Sequence, residues 1–221
     1  MCWSATADLW AGLGIAAVGG ASLASVRRPG DAPLAALPLL LGAHQVVEAA
    51  VWHAGGGTGP ATLAWAVIAL PLLPLWVPLG VLSAARPADR PLLLPPLAAG
   101  LVTASVLAYR LTVRPVSAEI RGHTLGYAVD LPHAPLVLVG YLFATVGALL
   151  LARDRLLRIL GLLTGLGAAV CALLWRTEFV STWCALAAAA SLLLLVWTRR
   201  RRPVTSAEDP SPVGRNPTAS Q

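Results

Sequence analysis

Long apolar runs, broken by short stretches of arginine, proline or glycine, make up nearly all of this 221-residue sequence. Within a run such as "LGLLTGLGAAVCALLW" apolar and polar positions do not alternate, so the pattern is that of membrane helices and not of barrel strands. One helical crossing needs roughly 20 apolar residues. Runs of that length predict seven spans, over 5–26, 33–54, 61–84, 91–112, 132–152, 157–175 and 179–198. The expected fold is all-α: a polytopic membrane protein with a seven-helix transmembrane bundle over residues 1–198. Pro71, Pro74 and Pro78 predict a kinked third span. Residues 199–221 open with four arginines suited to lipid headgroups and continue as a polar, proline-rich tail expected to be disordered. The start, "MCWSATADLW", lacks a basic region and carries Asp8, which argues against a cleaved signal.

Composition agrees with this pattern. The chain is 57% hydrophobic and 12% charged, about half the charged fraction of an ordinary globular protein. A net charge of +6 would suit nucleic acid in a soluble protein. Here the arginines sit at the ends of apolar runs, so the lipid bilayer is the expected partner and nucleic acid is not. Twelve of the sixteen arginines lie in or beside the breaks after spans one, three, five and seven. The other four, Arg110, Arg114, Arg121 and Arg176, lie on the opposite side. The positive-inside rule then puts the N-terminus outside and the C-terminus in the cytoplasm. Lysine is absent, and alanine and leucine dominate, a bias that points to a GC-rich bacterial genome and a multi-pass protein of the bacterial inner membrane. Without a lysine amine, covalent retinal is excluded, and no cofactor is expected.

The chemistry concentrates in "LLLGAHQVVEAAVWHAGGG", Leu39 to Gly57, where His44, Gln45, Glu48 and Trp52 stand on or beside one helical face. Ionisable residues inside a span are costly and turn toward other helices. Arg110 is the expected partner of Glu48, with Arg176 second, beneath a pocket opening outward and roofed by Trp52 and Trp183. Cys184 falls at about the depth of Glu48. This constellation predicts a ligand site for a small molecule or lipid, in a sensor or transporter-like protein. A metal-dependent membrane hydrolase using His44 and Glu48 is one alternative, and a structural or assembly protein another. No H-E-x-x-H or H-x-x-E-H spacing occurs, so no metal site and no catalytic residue is assigned. The three cysteines, Cys2, Cys171 and Cys184, contain no C-x-x-C pair, and both one disulfide and three free thiols stay open. Gly55 to Gly57 read as a tight turn, and Gly161-x-x-x-Gly165 as a site of close helix packing.

Several stretches carry a resemblance. "MCWSATAD", "LPLLLGAHQVVEAAVW", "GHTLGY" and "VSTWCALAAAAS" resemble landmarks of an uncharacterised family of bacterial seven-span membrane proteins that open Met-Cys-Phe-Ser-Ala-Thr-Ala-Ser. Trp3, Asp8 and Ala49 depart from its pattern. Cys2, Gln45, Glu48, Trp52, His123, Trp183 and Cys184 fall on those landmarks, which implies that Cys2 approaches Cys184 and not Cys171. The resemblance implies topology and names no reaction. Seven spans are also similar to the alkaline ceramidases, whose paired histidines in the last span have no counterpart here.

Overall fold

In the computed structural model, residues 4–131, 133–174 and 179–201 are described, the side chains of 174 and 179–181 aside. Seven helices among them are long and apolar enough to cross a membrane. They are α1 (Ala5–Ala24), α2 (Pro29–His53), α3 (Pro60–Ala84), α4 (Pro87–Val113), α5 (Ala134–Leu151), α6 (Arg155–Leu173) and α7 (Thr182–Arg200). Compared with the predicted spans, α2 and α4 start four residues early. Each gains a 3-10 turn, Pro29–Asp31 and Pro87–Leu93, whose first residue is a proline. A proline suits that position because its φ is already helical and no N–H is needed there. The tail from 202 onward lies outside the described residues.

The bundle is inverted relative to a water-soluble protein. Leu101, Val102, Leu136, Leu166 and Leu173 are exposed on the outside, whereas Asp8, Asp31, His44, Gln45 and Glu48 are buried. Hydrocarbon around the helices accounts for both halves of that distribution. Two helices form the centre: 61% of the α2 window and 50% of the α3 window are buried, above every other span.

Glycines set the closest approach. An added Cβ on Gly42 of α2 would lie 2.5 Å from the Ala16 nitrogen and 2.7 Å from the Gly12 carbonyl oxygen, both in α1. Only bare backbone fits between these helices, as small-residue seams allow. Gly161 and Gly165 make room on α6 for the Leu149 and Val146 side chains of α5.

The prolines of α3 widen the helix. Residues Ile68–Leu72 form a π turn around Pro71, and the Leu73 N–H reaches back to the Ile68 carbonyl. In that register the donor for the Ala69 carbonyl would be residue 74, a proline without an N–H. The Tyr141 hydroxyl from α5 supplies the missing donor, giving its proton to the Ala69 carbonyl at 2.6 Å. A second π turn, Phe143–Gly147, follows Tyr141 on α5.

At the arginine-rich end, Arg201 closes the bundle. Its guanidinium donates to both carboxylate oxygens of Asp31, at 2.9 and 3.2 Å, and to the Ala84 carbonyl at 2.7 Å. It also lies over the Trp197 ring. One residue thereby ties the end of α7 to the starts or ends of α2 and α3.

The opposite end carries an element that periodicity alone did not reveal. Between α4 and α5 the chain forms an antiparallel hairpin, β1 (Ser117–Arg121) and β2 (Thr124–Ala128), with Ser117 opposite Ala128. Gly122 has φ +62° and His123 does not share that sign, the arrangement of a two-residue type II′ loop.

Replacing Gly42 by alanine will destabilise the protein by about 2 kcal/mol, because the new methyl overpacks a backbone seam. Thermal unfolding in detergent will show a lower midpoint for this variant, whereas Gly14→Ala, with nothing within 4 Å, will not lower it.

Candidate functional site

His44, Gln45 and Glu48 project from α2 into the centre of the bundle, each at most 1% exposed. The inward orientation predicted for them is the one observed. Above His44, toward the hairpin, stands Trp65 of α3, with ring centroids 5.2 Å apart. Trp65 is itself fully buried, and Tyr127 of β2 stacks on it at 3.4 Å and 4°. The order His44, Trp65, Tyr127 makes a column from the polar cluster to the hairpin.

The hairpin is seated by its apolar face and by the glycine turn. Val116, Ala118 and Leu125 are buried against the bundle. Gly57 and Ala118 exchange two backbone hydrogen bonds, at 2.8 and 3.0 Å. Gly55, Gly56 and Gly57 all have φ near +75 to +79°, a conformation that L side chains rarely adopt. A Cβ on Gly56 would also meet the Ala118 carbonyl oxygen at 2.5 Å. The triple glycine is therefore the dock for the hairpin as well as a turn.

Several expectations need correction. Arg110 donates to the Asp130 carbonyl and to its carboxylate, at 2.7 to 3.0 Å, so its charge serves the base of the hairpin. It lies in the last turn of α4. Trp52 does not roof the cluster: its indole N–H donates to the Asp8 carboxylate of α1 at 2.9 Å. Trp183 gives its indole N–H to the Thr164 carbonyl at 2.9 Å and meets Tyr141 edge to face. Trp65 and Tyr127, and not an outward-opening pocket, stand between the cluster and the hairpin. Arg176 and Cys2, with the proposed Cys2–Cys184 approach, fall outside the described residues. Cys171 and Cys184 are buried free thiols.

Cys184 does lie near the cluster, within electrostatic reach of Glu48 and Cys171. With Trp183, Tyr141, Thr164 and Ser191 it also lines a cavity of about 50 Å³ between α2, α3, α5, α6 and α7. Its lining is almost wholly apolar, so it is not a site for water. His44, Gln45 and Glu48 are not among its lining residues. Among the described residues no three His, Cys, Asp or Glu side chains are grouped to hold a metal ion.

Sequence inspection passed over three members of this end of the bundle. Asp8 is fully buried, and the signal for it was the one used for Glu48, an acid within an apolar run. Tyr127 was signalled by the alternation of Leu125 and Tyr127 after a glycine turn. Trp65 carried no signal beyond its size.

The stretch from Ala5 to Arg200 thus holds a seven-helix bundle with a hairpin cover over a buried polar cluster. The chain belongs to DUF6629, a family of unknown function. The match covers residues 1–209, which includes every helix, the hairpin and the polar cluster. No curated protein and no solved structure matches the chain.

Gly56→Ala will loosen the hairpin, because it strains a left-handed backbone and pushes against Ala118. Losing about one hydrogen bond's worth of docking corresponds to about tenfold faster amide exchange across residues 116–127. Hydrogen–deuterium exchange read by mass spectrometry checks this, with the α1–α2 seam as the unaffected reference.

Proposed function

We propose that the protein crosses a bacterial cell membrane seven times and binds a small hydrogen-bonding molecule among His44, Gln45 and Glu48, as a sensor or transporter-like receptor covered by the hairpin. One observation carries this. Both ring nitrogens of His44 and both heteroatoms of the Gln45 amide are buried with no hydrogen-bond partner among the described residues. Each unsatisfied buried group costs about 1–3 kcal/mol, and native structures rarely carry several side by side. A ligand with a donor and an acceptor close together would relieve one atom on each of these side chains, since imidazole and carboxamide each supply both kinds of group. Glu48 adds a carboxyl group beside them that favours a ligand with a donating end. Arg176, on the segment leading into α7, is the cation we assign to balance Glu48. Entry requires the hairpin to lift, because Tyr127 and Trp65 stand between the cluster and the nearer end of the bundle.

The double variant His44→Leu/Gln45→Leu tests the reading. Native mass spectrometry of the full chain released from nanodiscs should show a low-mass adduct on the wild type that the variant lacks. The variant should also melt no lower, because apolar groups of similar size remove the unsatisfied atoms. A wild type without adduct, together with a variant that melts several degrees lower, would leave the cluster as a link between helices and sink the binding site.

Orientation follows from the arginines, and we place the hairpin end outside. In a chain with Cys2, Cys171 and Cys184 replaced by alanine, a cysteine at the exposed hairpin position His123 should react with an impermeant maleimide on intact cells. One at Ala207 should react only after permeabilisation. The reverse pattern would invert the topology.

A further inference from the structure

We propose that the wedge between α4 and α5 at the hairpin end binds one acyl chain of an anionic phospholipid, with its phosphate at Arg110 and Arg114. The wedge has a structural origin. Deeper in the bundle, α4 and α5 touch where Gly140 meets Thr103, so closely that a Cβ on Gly140 would lie 2.6 Å from the threonine hydroxyl. Toward the hairpin they part, leaving a crevice of about 370 Å³. Leu107 of α4 and Ala134, Val137 and Leu138 of α5 form its walls, and the π turn of α3 contributes Ala69 and Leu70.

Two aromatic residues with polar handles also line it, Tyr141 and Trp183. The Tyr141 hydroxyl is engaged with the Ala69 carbonyl and the Trp183 N–H with the Thr164 carbonyl. Their rings therefore offer the crevice hydrocarbon faces, and an apolar cavity of this kind does not hold water. The flanking surface is the exposed apolar face of α5, including Leu136 and Val139, so the crevice opens toward lipid.

Charge complementarity identifies the headgroup. Arg110 and Arg114 follow Leu107 at the end of α4, rising about 5 and 10 Å above it at 1.5 Å per residue. Between them they share a single carboxylate, Asp130, at 3.0 and 3.6 Å. One positive charge is left over, and Arg114 is largely exposed. An apolar slot beneath a net cation at the end of a membrane helix matches an anionic amphiphile in length and in charge order. This proposal rests on the chain spanning the membrane and is independent of any ligand at His44.

The test is quenching of Trp183 by brominated acyl chains, with the full chain in symmetric vesicles of phosphatidylcholine. Brominated phosphatidylglycerol or brominated phosphatidylcholine is added at equal fraction, and the difference between wild type and Trp183→Phe isolates the one indole. Trp183 should be quenched by both lipids, with about fivefold preference for the anionic one, as expected for one net arginine charge. Ala134→Phe, or Leu138→Phe on the same wall, should fill the crevice and abolish the quenching. Arg114→Gln should keep quenching and lose the preference. Undiminished quenching of Trp183 in both filled variants would overturn the acyl-chain site. Equal quenching of the wild type by the two lipids would overturn the anionic headgroup.

Discussion

Much of this bundle follows from one constraint: its outer surface is apolar, as a hydrocarbon surrounding requires, so polar groups turn inward. Asp8 is buried at α1 and receives the Trp52 indole. Asp31 is buried at the other end and receives Arg201. Both are acids that a soluble protein would leave in water. Removing one partner from such a pair is costly because the other stays behind in a medium of low polarity. The glycine seam between α1 and α2 serves the same constraint. Where lipid is as apolar as leucine, helices gain little from hiding leucines, and close backbone packing becomes the means of association.

The prolines show how the constraint is met when the backbone itself is at fault. Pro71 and Pro74 remove two donors from the middle of α3, and the helix responds by widening into a π turn. The carbonyl left over at Ala69 is satisfied from another helix by Tyr141. That hydrogen bond joins α3 to α5 at mid-bundle. It also fixes the tyrosine ring beside Trp183, where the two form one wall of the crevice between α4 and α5.

Most of the fold could be read from the sequence, because span length and the apolar run are direct consequences of bilayer thickness. The inward orientation of His44, Gln45 and Glu48 was legible for a similar reason, as no other orientation is tolerable in lipid. Partners were not legible. Arg110 and Glu48 seemed matched by charge and by side of the membrane, yet Arg110 answers to Asp130, twenty residues along in sequence and adjacent through the hairpin. Hydropathy cannot reveal such a hairpin, since ten strand residues lie between runs twice as long. The packing of Tyr127 on Trp65 is a tertiary fact, set by where the triple glycine docks β1, and no periodicity encodes it.

Trp65 and Ala69 are four residues apart and so share one face of α3. Trp65 touches His44 below and Tyr127 above, whereas Ala69 carries the Tyr141 hydrogen bond and lines the crevice. The cover of the polar cluster and the wall of the crevice are therefore successive turns of a single helix. Between them the backbone passes from α to π hydrogen bonding at Ile68. A π turn is an insertion in hydrogen-bond register, so it sets how Trp65 is rotated relative to Pro74. Spatial adjacency alone does not couple two sites; what the two share here is the π turn, whose register places Trp65 under the cover and Ala69 at the crevice.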